Sequence, residues 1–266
     1  MNDRLGELLR ENVALYGIIC RDATTTDLEL MAQTGYHVVW IDLEHGPQST
    51  TRALELGRTA THLGLVPLVR ILELSRTHVQ RLLDGGIQIL NLPDVTDVLQ
   101  AAEFVRLGKY PPLGQRGVST TSAGTNFSMG ADPRQTLRQA NDATHLMVMF
   151  EGDRAYEDRK AILAVNGIDI ATIGPMDWSV GLNLYGDEAE SYLAPRIESL
   201  LTDITSAGKI AAMNISSPGA AAKYRDLGVR IFFLGVDVSM RRKMLTDNLS
   251  PIKAALEGQD SPLDGE

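Results

Sequence analysis

A chain of 266 residues, 44% hydrophobic and 22% charged, has material for one sizeable core, which excludes a disordered or low-complexity protein. Its formal net charge of -9, from 25 Lys and Arg against 34 Asp and Glu, excludes a nucleic-acid surface, which needs a basic excess on some face. Cys20 is the only cysteine, so intramolecular disulfides and thiolate metal sites are excluded; with no signal-peptide pattern at the start and no apolar run near the roughly 20 residues of a membrane span, a cytoplasmic protein is expected.

Short apolar runs rich in β-branched residues alternate with longer amphipathic segments, the rhythm of parallel strands joined by helices. In chain order the pattern predicts a strand over 15–20, a helix over 26–34 closed by Gly35, a strand over 37–43, and a helix over 51–63 closed by Gly64. A strand over 66–71, a helix over 77–84, a strand over 87–92 and a helix over 95–107 follow. After an irregular stretch over 110–132 come strands over 146–150 and 168–173, a helix over 188–207 closed by Gly208, and strands over 210–215 and 231–234. Such βα units describe a closed barrel or an open doubly wound sheet, and eight of them favour a (β/α)8 TIM barrel. The expected organisation is one barrel domain over 1–257 and a polar tail over 258–266. The irregular stretch, with its Pro-Pro pair and the hydroxyl-rich run 119–125, has the length of a functional loop and is expected to cross the barrel mouth.

In a barrel the C-terminal strand ends converge, so polar residues there are the candidates for chemistry. The strand over 37–43 stops in Asp42-Leu43-Glu44-His45-Gly46-Pro47, where an aspartate can orient a histidine as general base. The alternative is a histidine in a polar loop. The run Pro67-Leu68-Val69-Arg70 ends in a guanidinium, suited to gripping a carboxylate or to an internal salt bridge with Asp42 or Glu44. Two further strands lead into Glu151 and, through Gly174-Pro175-Met176, into Asp177. Two carboxylates with open positions suit magnesium or manganese, although spacing leaves open plain helix N-terminal carboxylates, since Asp153 and Asp187 are equally acidic neighbours. No lysine sits at a strand end for Schiff-base chemistry, and no dinucleotide or Walker-type glycine loop is present. His37, His62, His78 and His145 lie on helices or at strand starts and read as packing residues.

Taken together, Asp42-Leu43-Glu44-His45-Gly46-Pro47, Pro67-Leu68-Val69-Arg70, Arg81-Leu82-Leu83-Asp84-Gly85-Gly86, Tyr110-Pro111-Pro112-Leu113-Gly114-Gln115-Arg116-Gly117 and Gly174-Pro175-Met176-Asp177-Trp178-Ser179 resemble the HpcH/HpaI aldolase family, the class II metal-dependent pyruvate aldolases, over nearly the whole chain. The resemblance implies a (β/α)8 barrel in a homohexamer, a trimer of dimers that exchange terminal helices, with Mg2+, Mn2+ or Co2+ in the site. It implies Glu151 and Asp177 as metal ligands and Arg70 as the holder of the enolate and carboxylate oxygens. His45 with Asp42 would be the acid/base, Glu44 would support metal-bound water, and Asp84 would reach a neighbouring subunit's site. The backbone near Met176 and Asp177 would receive the carboxylate of pyruvate or oxaloacetate, with an aldehyde as acceptor.

The implied reaction is cleavage or formation of 4-hydroxy-2-oxo acids through a pyruvate enolate. The chain departs from the family pattern at Met149, where members carry Gln two residues before the metal-binding Glu. It also has Gly-Pro-Met-Asp-Trp-Ser for the usual Gly-Pro-Ala-Asp-Leu-Ser. Met149 and the hydroxyl-rich loop motivate an alternative, a citrate-synthase-like carbon–carbon ligase or oxaloacetate decarboxylase; a 2-oxo-acid binder without turnover is a third reading.

Overall fold

Apolar residues fill both faces of every strand run, as strands sandwiched between a barrel interior and an outer helical layer must. In the computed structural model, which describes residues 3–129 and 131–257, those runs pair in chain order. They are β1 (Leu15–Cys20), β2 (Val38–Asp42), β3 (Val66–Arg70), β4 (Ile89–Leu92), β5 (His145–Phe150), β6 (Ile170–Ile173), β7 (Ile210–Asn214) and β8 (Val229–Val236), and β8 closes on β1 to complete a parallel barrel. The tail expected over 258–266 lies outside the described residues.

Parallel neighbours need crossovers, and helices supply them. They include α2 (Thr25–Gln33), α3 (Thr50–His62), α4 (Arg76–Asp84) and α5 (Val98–Gly108), preceded by α1 (Arg4–Arg10). The later helices are α6 (Pro133–Asp142), α7 (Asp153–Ala164), α8 (Pro175–Gly181), α9 (Gly186–Ser206), α10 (Pro218–Asp226) and α11 (Asp237–Glu257). Thr24, Ser49, Ser75 and Asp97 cap α2 to α5 by accepting from backbone N–H groups of the first turn, which satisfies donors that have no partner in the helix.

Three features depart from the sequence reading. Helix α1, absent from the predicted pattern, plugs the N-terminal end of the barrel: Leu5 and Leu8 join Leu15, Val38 and Val66 in the interior cluster, and Asp3 pairs with His145 at 2.9 Å. The polar helices α6, α7 and α10 and the short α8 were also missed, because few apolar residues mark their period. The irregular stretch 110–132 does not cross the barrel mouth. It follows α5, which returns the chain to the N-terminal end, and it packs there, with Gly124 against the Leu83 carbonyl and Arg116 paired to Asp84 at 2.8 Å. Its hydroxyls hold the loop itself: Ser122 Oγ and Thr125 Oγ1 donate to the Ser119 carbonyl at 3.0 and 2.8 Å.

Strand register places the interior residues in rings. From Trp40 the partners run to Leu68 and Ile89, and the one-residue stagger per strand of such barrels lifts the level position on β4 to Asn91. The same step leads from Asn91 to Thr172, from Thr172 to Phe233, and from Phe233 back to Trp40. Trp40, Asn91, Thr172 and Phe233 therefore form one ring from the even strands. One residue nearer the C-terminal ends, Ile19, Arg70, Met149 and Asn214 form the ring from the odd strands. Gly17 admits the lower ring, since a Cβ there would lie 2.8 Å from the Phe233 side chain.

Candidate active site

The ring of Ile19, Arg70, Met149 and Asn214 lines a cavity of about 550 Å3 at the C-terminal end of the barrel, walled further by Arg21, His45 and the turn Gly174–Asp177. Arg70 is buried and two-pronged: Nε donates to Asp42 Oδ1 at 2.8 Å and a terminal nitrogen to Oδ2 at 2.5 Å, while its third nitrogen lies 2.9 Å from Glu44. Burial works against both charges. For Asp42 it is outweighed by the hydrogen bonds and charge of Arg70, which hold the carboxyl below the usual range. Arg70 is likewise kept protonated against its burial by Asp42, Glu44 and Glu151. The internal salt bridge anticipated for Arg70 thus exists, and it fixes the guanidinium against the cavity wall.

The pairing expected between Asp42 and the His45 ring does not form. Asp42 is already engaged by Arg70 and reaches His45 only through its backbone N–H, at 3.3 Å, as it does that of Glu44 at 3.1 Å. The two hydrogen bonds shape the turn after β2. The imidazole instead faces Glu44, with Nε2 3.8 Å from its carboxylate, and stands on the cavity wall.

Glu151, just beyond β5, is held by the Asp94 N–H, which donates to Oε1 at 2.7 Å. Burial is the main cause that pushes its carboxyl up to about 8; the charges of Asp177 and Glu44 add to the rise, while the Asp94 hydrogen bond and Arg70 oppose it. Asp177 sits in the first turn of α8. That helix is placed by Trp178, fully buried, whose indole donates to Asp153 at 2.8 Å. The N–H groups of Met176 and Asp177 precede the first helical hydrogen bond, from Trp178 N to the Gly174 carbonyl. Gly174 leaves room for Glu151: a Cβ there would lie 2.5 Å from Oε2.

A divalent cation fits this pair. The half-buried Glu151 carboxyl feels the charges of Asp177 and Glu44, which Arg70 offsets only in part, and hard oxygen donors suit magnesium, manganese or cobalt. Among the described residues no group of three or more His, Cys, Asp or Glu converges to hold a metal unaided. Two carboxylates leave positions for water and substrate, which is how such ions are bound beside a reacting ligand.

Met149 is buried and lines the cavity; Met176 is exposed at its rim. Asp84 does not come to this cavity. It ends α4 at the opposite end of the barrel, bound to Arg116. Sequence reasoning missed Arg21, which lines the cavity 3.5 Å from Asp42. The signal was available, because Cys20-Arg21 ends a strand in a charge as Val69-Arg70 does. Asn214, at the end of β7, was missed for want of a charge.

A profile described as HpcH/HpaI aldolase/citrate lyase matches residues 21–243. The chain belongs to this family. Among HpcH/HpaI relatives, it is 32% identical over 247 residues to a hydroxypyruvate/pyruvate aldolase of Delftia acidovorans, covering 92% of this chain and 91% of that one. It is 32% identical over 248 residues to a 2-keto-3-deoxy-L-rhamnonate aldolase of Salmonella gallinarum, covering 93% and 92%. The crystal structure of the HpcH/HpaI aldolase from Desulfitobacterium hafniense superposes with a TM-score of 0.87 at 26% identity, over 98% of this chain and 99% of that one.

Proposed function

We propose that this HpcH/HpaI protein is a metal-dependent aldolase, a carbon–carbon lyase that cleaves or forms 4-hydroxy-2-oxo acids through the enolate of pyruvate or a close analogue. The observation that carries the reading is the buried Arg70, locked by Asp42, lining one cavity with His45 and Asp177, while Glu151 feels the charges of both Asp177 and Arg70. Relatives at 32% identity with pyruvate-type aldolase names support it.

Glu151 and Asp177 would hold Mg2+, Mn2+ or Co2+, which supplies a Lewis acid for the substrate's 2-oxo group. Arg70 places a fixed positive charge where negative charge grows on the 2-oxo oxygen, and it needs no reorganisation because Asp42 and Glu44 already hold it. The Met176 and Asp177 N–H groups receive the substrate carboxylate. His45 takes the proton from the C4 hydroxyl as the C3–C4 bond breaks, the electron pair passes to the enolate, and the aldehyde leaves. Glu44, close to both His45 and Arg70, orders water beside them. Met149 closes the inner wall with a thioether.

The enzyme works as a homohexamer of helix-exchanging dimers in the cytoplasm, with Asp84 serving a neighbour's site. No helix among the described residues is long and apolar enough to cross a membrane.

The test is metal-dependent exchange of the C3 protons of 2-oxo acids into deuterated water. Chelation should abolish exchange and added Mg2+, Mn2+ or Co2+ should restore it; exchange that ignores the chelator removes the reading. His45→Ala should lower aldol cleavage by about 100-fold or more while bound metal stays, the loss expected of a missing general base.

A further inference from the structure

Two arginines, Arg70 and Arg21, stand on the wall of the active cavity, and they are held in different ways. Arg70 commits its nitrogens to Asp42 and Glu44. The Arg21 side chain is 41% exposed, and its Nε, 3.5 Å from Asp42 Oδ2, has no hydrogen-bond partner among the described residues. Asp42 has no acceptor position left for it. Oδ1 already accepts from Arg70 Nε and from the N–H groups of Glu44 and His45, and Oδ2 accepts from a terminal nitrogen of Arg70, which fills the roughly four lone-pair sites of a carboxylate. The planar fork of Arg21, suited to holding an anion by two parallel bonds, is left on the cavity wall uncommitted.

Its main chain, by contrast, is fixed on two sides. Ile19 packs in the barrel interior and Cys20 in the outer cluster, so the alternation of the strand returns Arg21 to the interior side. Just beyond β1, Asp237, the first residue of α11, accepts from the Arg21 and Asp22 N–H groups at 3.0 Å each, one on each carboxylate oxygen. Arg241, one turn along α11, donates to the same carboxylate at 3.1 Å and to the Asp22 carbonyl at 2.9 Å. Opposite them, Gly46 in the turn after His45 comes so close that a Cβ there would lie 2.7 Å from the Arg21 carbonyl oxygen. The clamp sets the direction of the side chain without using any of its donors, which is how a binding group is preorganised.

We infer that Arg21 is a second anion-binding residue of the active cavity and that Asp237 is its positioning residue, so that the first turn of α11 belongs to the substrate site. The anion is the 2-oxo acid of the reading above, on which the assignment rests. Arg70 is already engaged by Asp42 and Glu44, whereas the donors of Arg21 are free for a ligand. A positive charge on a cavity wall attracts an anion throughout the cavity, so no single pose is required.

The test uses the full-length protein loaded with Mn2+, with pyruvate as the probe, and reads pyruvate binding by calorimetry, C3 proton exchange by NMR and Mn2+ affinity. Arg21→Gln, which keeps a polar side chain but no charge, should weaken pyruvate binding about tenfold, the lower end of the range for hydrogen bonds to a charged group, while Mn2+ affinity does not fall. The deficit should shrink as salt is raised toward about 1 M, because a partly exposed charge is screened, and Arg21→Lys should recover part of it. Asp237→Asn keeps one acceptor oxygen. It should weaken pyruvate binding in the wild-type background and have no effect in the Arg21→Gln background, the non-additivity expected of a residue that acts through another. Pyruvate binding by Arg21→Gln equal to wild type, or a deficit indifferent to salt, overturns Arg21 as an anion-binding residue. Equal losses from Asp237→Asn in both backgrounds overturn Asp237 as its positioning residue. Arg21-dependent binding of pyruvate with no C3 exchange keeps Arg21 in place and removes the aldolase reading, whereas a wild type that binds no pyruvate removes both.

Discussion

The Asp42–Arg70 pair shows how one residue's ionisation serves both the fold and the site. Asp42 is fully buried, and burial alone would raise its pKa; the Arg70 hydrogen bonds and charge overcome that and hold it below the ordinary value. A carboxyl with a depressed folded pKa contributes its stability at every pH above the unfolded value, about 4, and loses it as pH falls through the lowered folded one. Asp42→Asn is therefore expected to destabilise the protein by about 3–5 kcal/mol at neutral pH, the cost of stranding a buried guanidinium, with the deficit shrinking as pH drops below about 4. Urea unfolding of both proteins across that range checks it; a deficit constant with pH would mean that Asp42 acts by shape alone. The substitution should also raise KM for the 2-oxo acid, because Arg70 would no longer be held against the cavity wall by two bonds.

At the scale of elements, the eight strands were legible because their runs are short and apolar on both faces, and helices α2 to α5 because their apolar stripe and caps are plain. β8 was read short, since Gly235 interrupts its run, and α1 was missed because its two buried leucines serve the barrel interior and not a helix-to-sheet face. In the site, charges at strand ends were legible: Asp42, Arg70, Glu151 and Asp177 come to one end of the barrel, as the pattern at 42–47, 70, 151 and 177 predicts. Sequence offered Asp42 two partners, the Arg70 guanidinium and the His45 ring, and could not choose between them. Asp42 turned out to hold Arg70 and not the His45 ring, a choice set by the register pairing of Asp42 with Arg70 across β2 and β3. The β6–α8 junction carries its own prediction. Gly174→Ala puts a Cβ 2.5 Å from Glu151 Oε2, at an ordinary negative φ of -105, so the backbone is unstrained and the carboxylate must move. A stability loss of about 1–3 kcal/mol is expected, together with a larger, at least tenfold, weakening of Mn2+ binding by calorimetry. Mn2+ affinity unchanged beside the same stability loss would argue against Glu151 as a ligand.

The whole molecule exposes one element that does not belong to a finished monomer surface. Along α11, Val238, Leu245, Leu249, Ile252 and Leu256 recur at intervals of seven, four, three and four, which puts them on one helical face, and they are 41–81% exposed together with Met240 and Met244. Within the chain, α11 is anchored at its start, where Asp237 accepts from the Arg21 and Asp22 N–H groups and Arg241 donates to the Asp22 carbonyl. The rest of this helix of 21 residues, about 30 Å long, presents apolar surface to solvent. The same molecule has a groove of about 590 Å3 between α8, α9, β7 and α10, with Leu193, Ile197 and Met213 along it. An apolar helix face and an apolar groove on one chain suit reciprocal docking between two copies, the self-complementary arrangement of a two-fold dimer. Leu245→Glu with Leu249→Glu places two charges in the middle of the α11 face, far from every interior residue of the barrel. The expected result by sedimentation or light scattering is a shift from the assembled form to monomer with the circular dichroism of the barrel retained, and Mn2+ binding at Glu151 and Asp177 retained as well. A wild-type protein that runs as a monomer at micromolar concentration, or an assembly indifferent to both charges, would sink helix exchange as the basis of its quaternary structure.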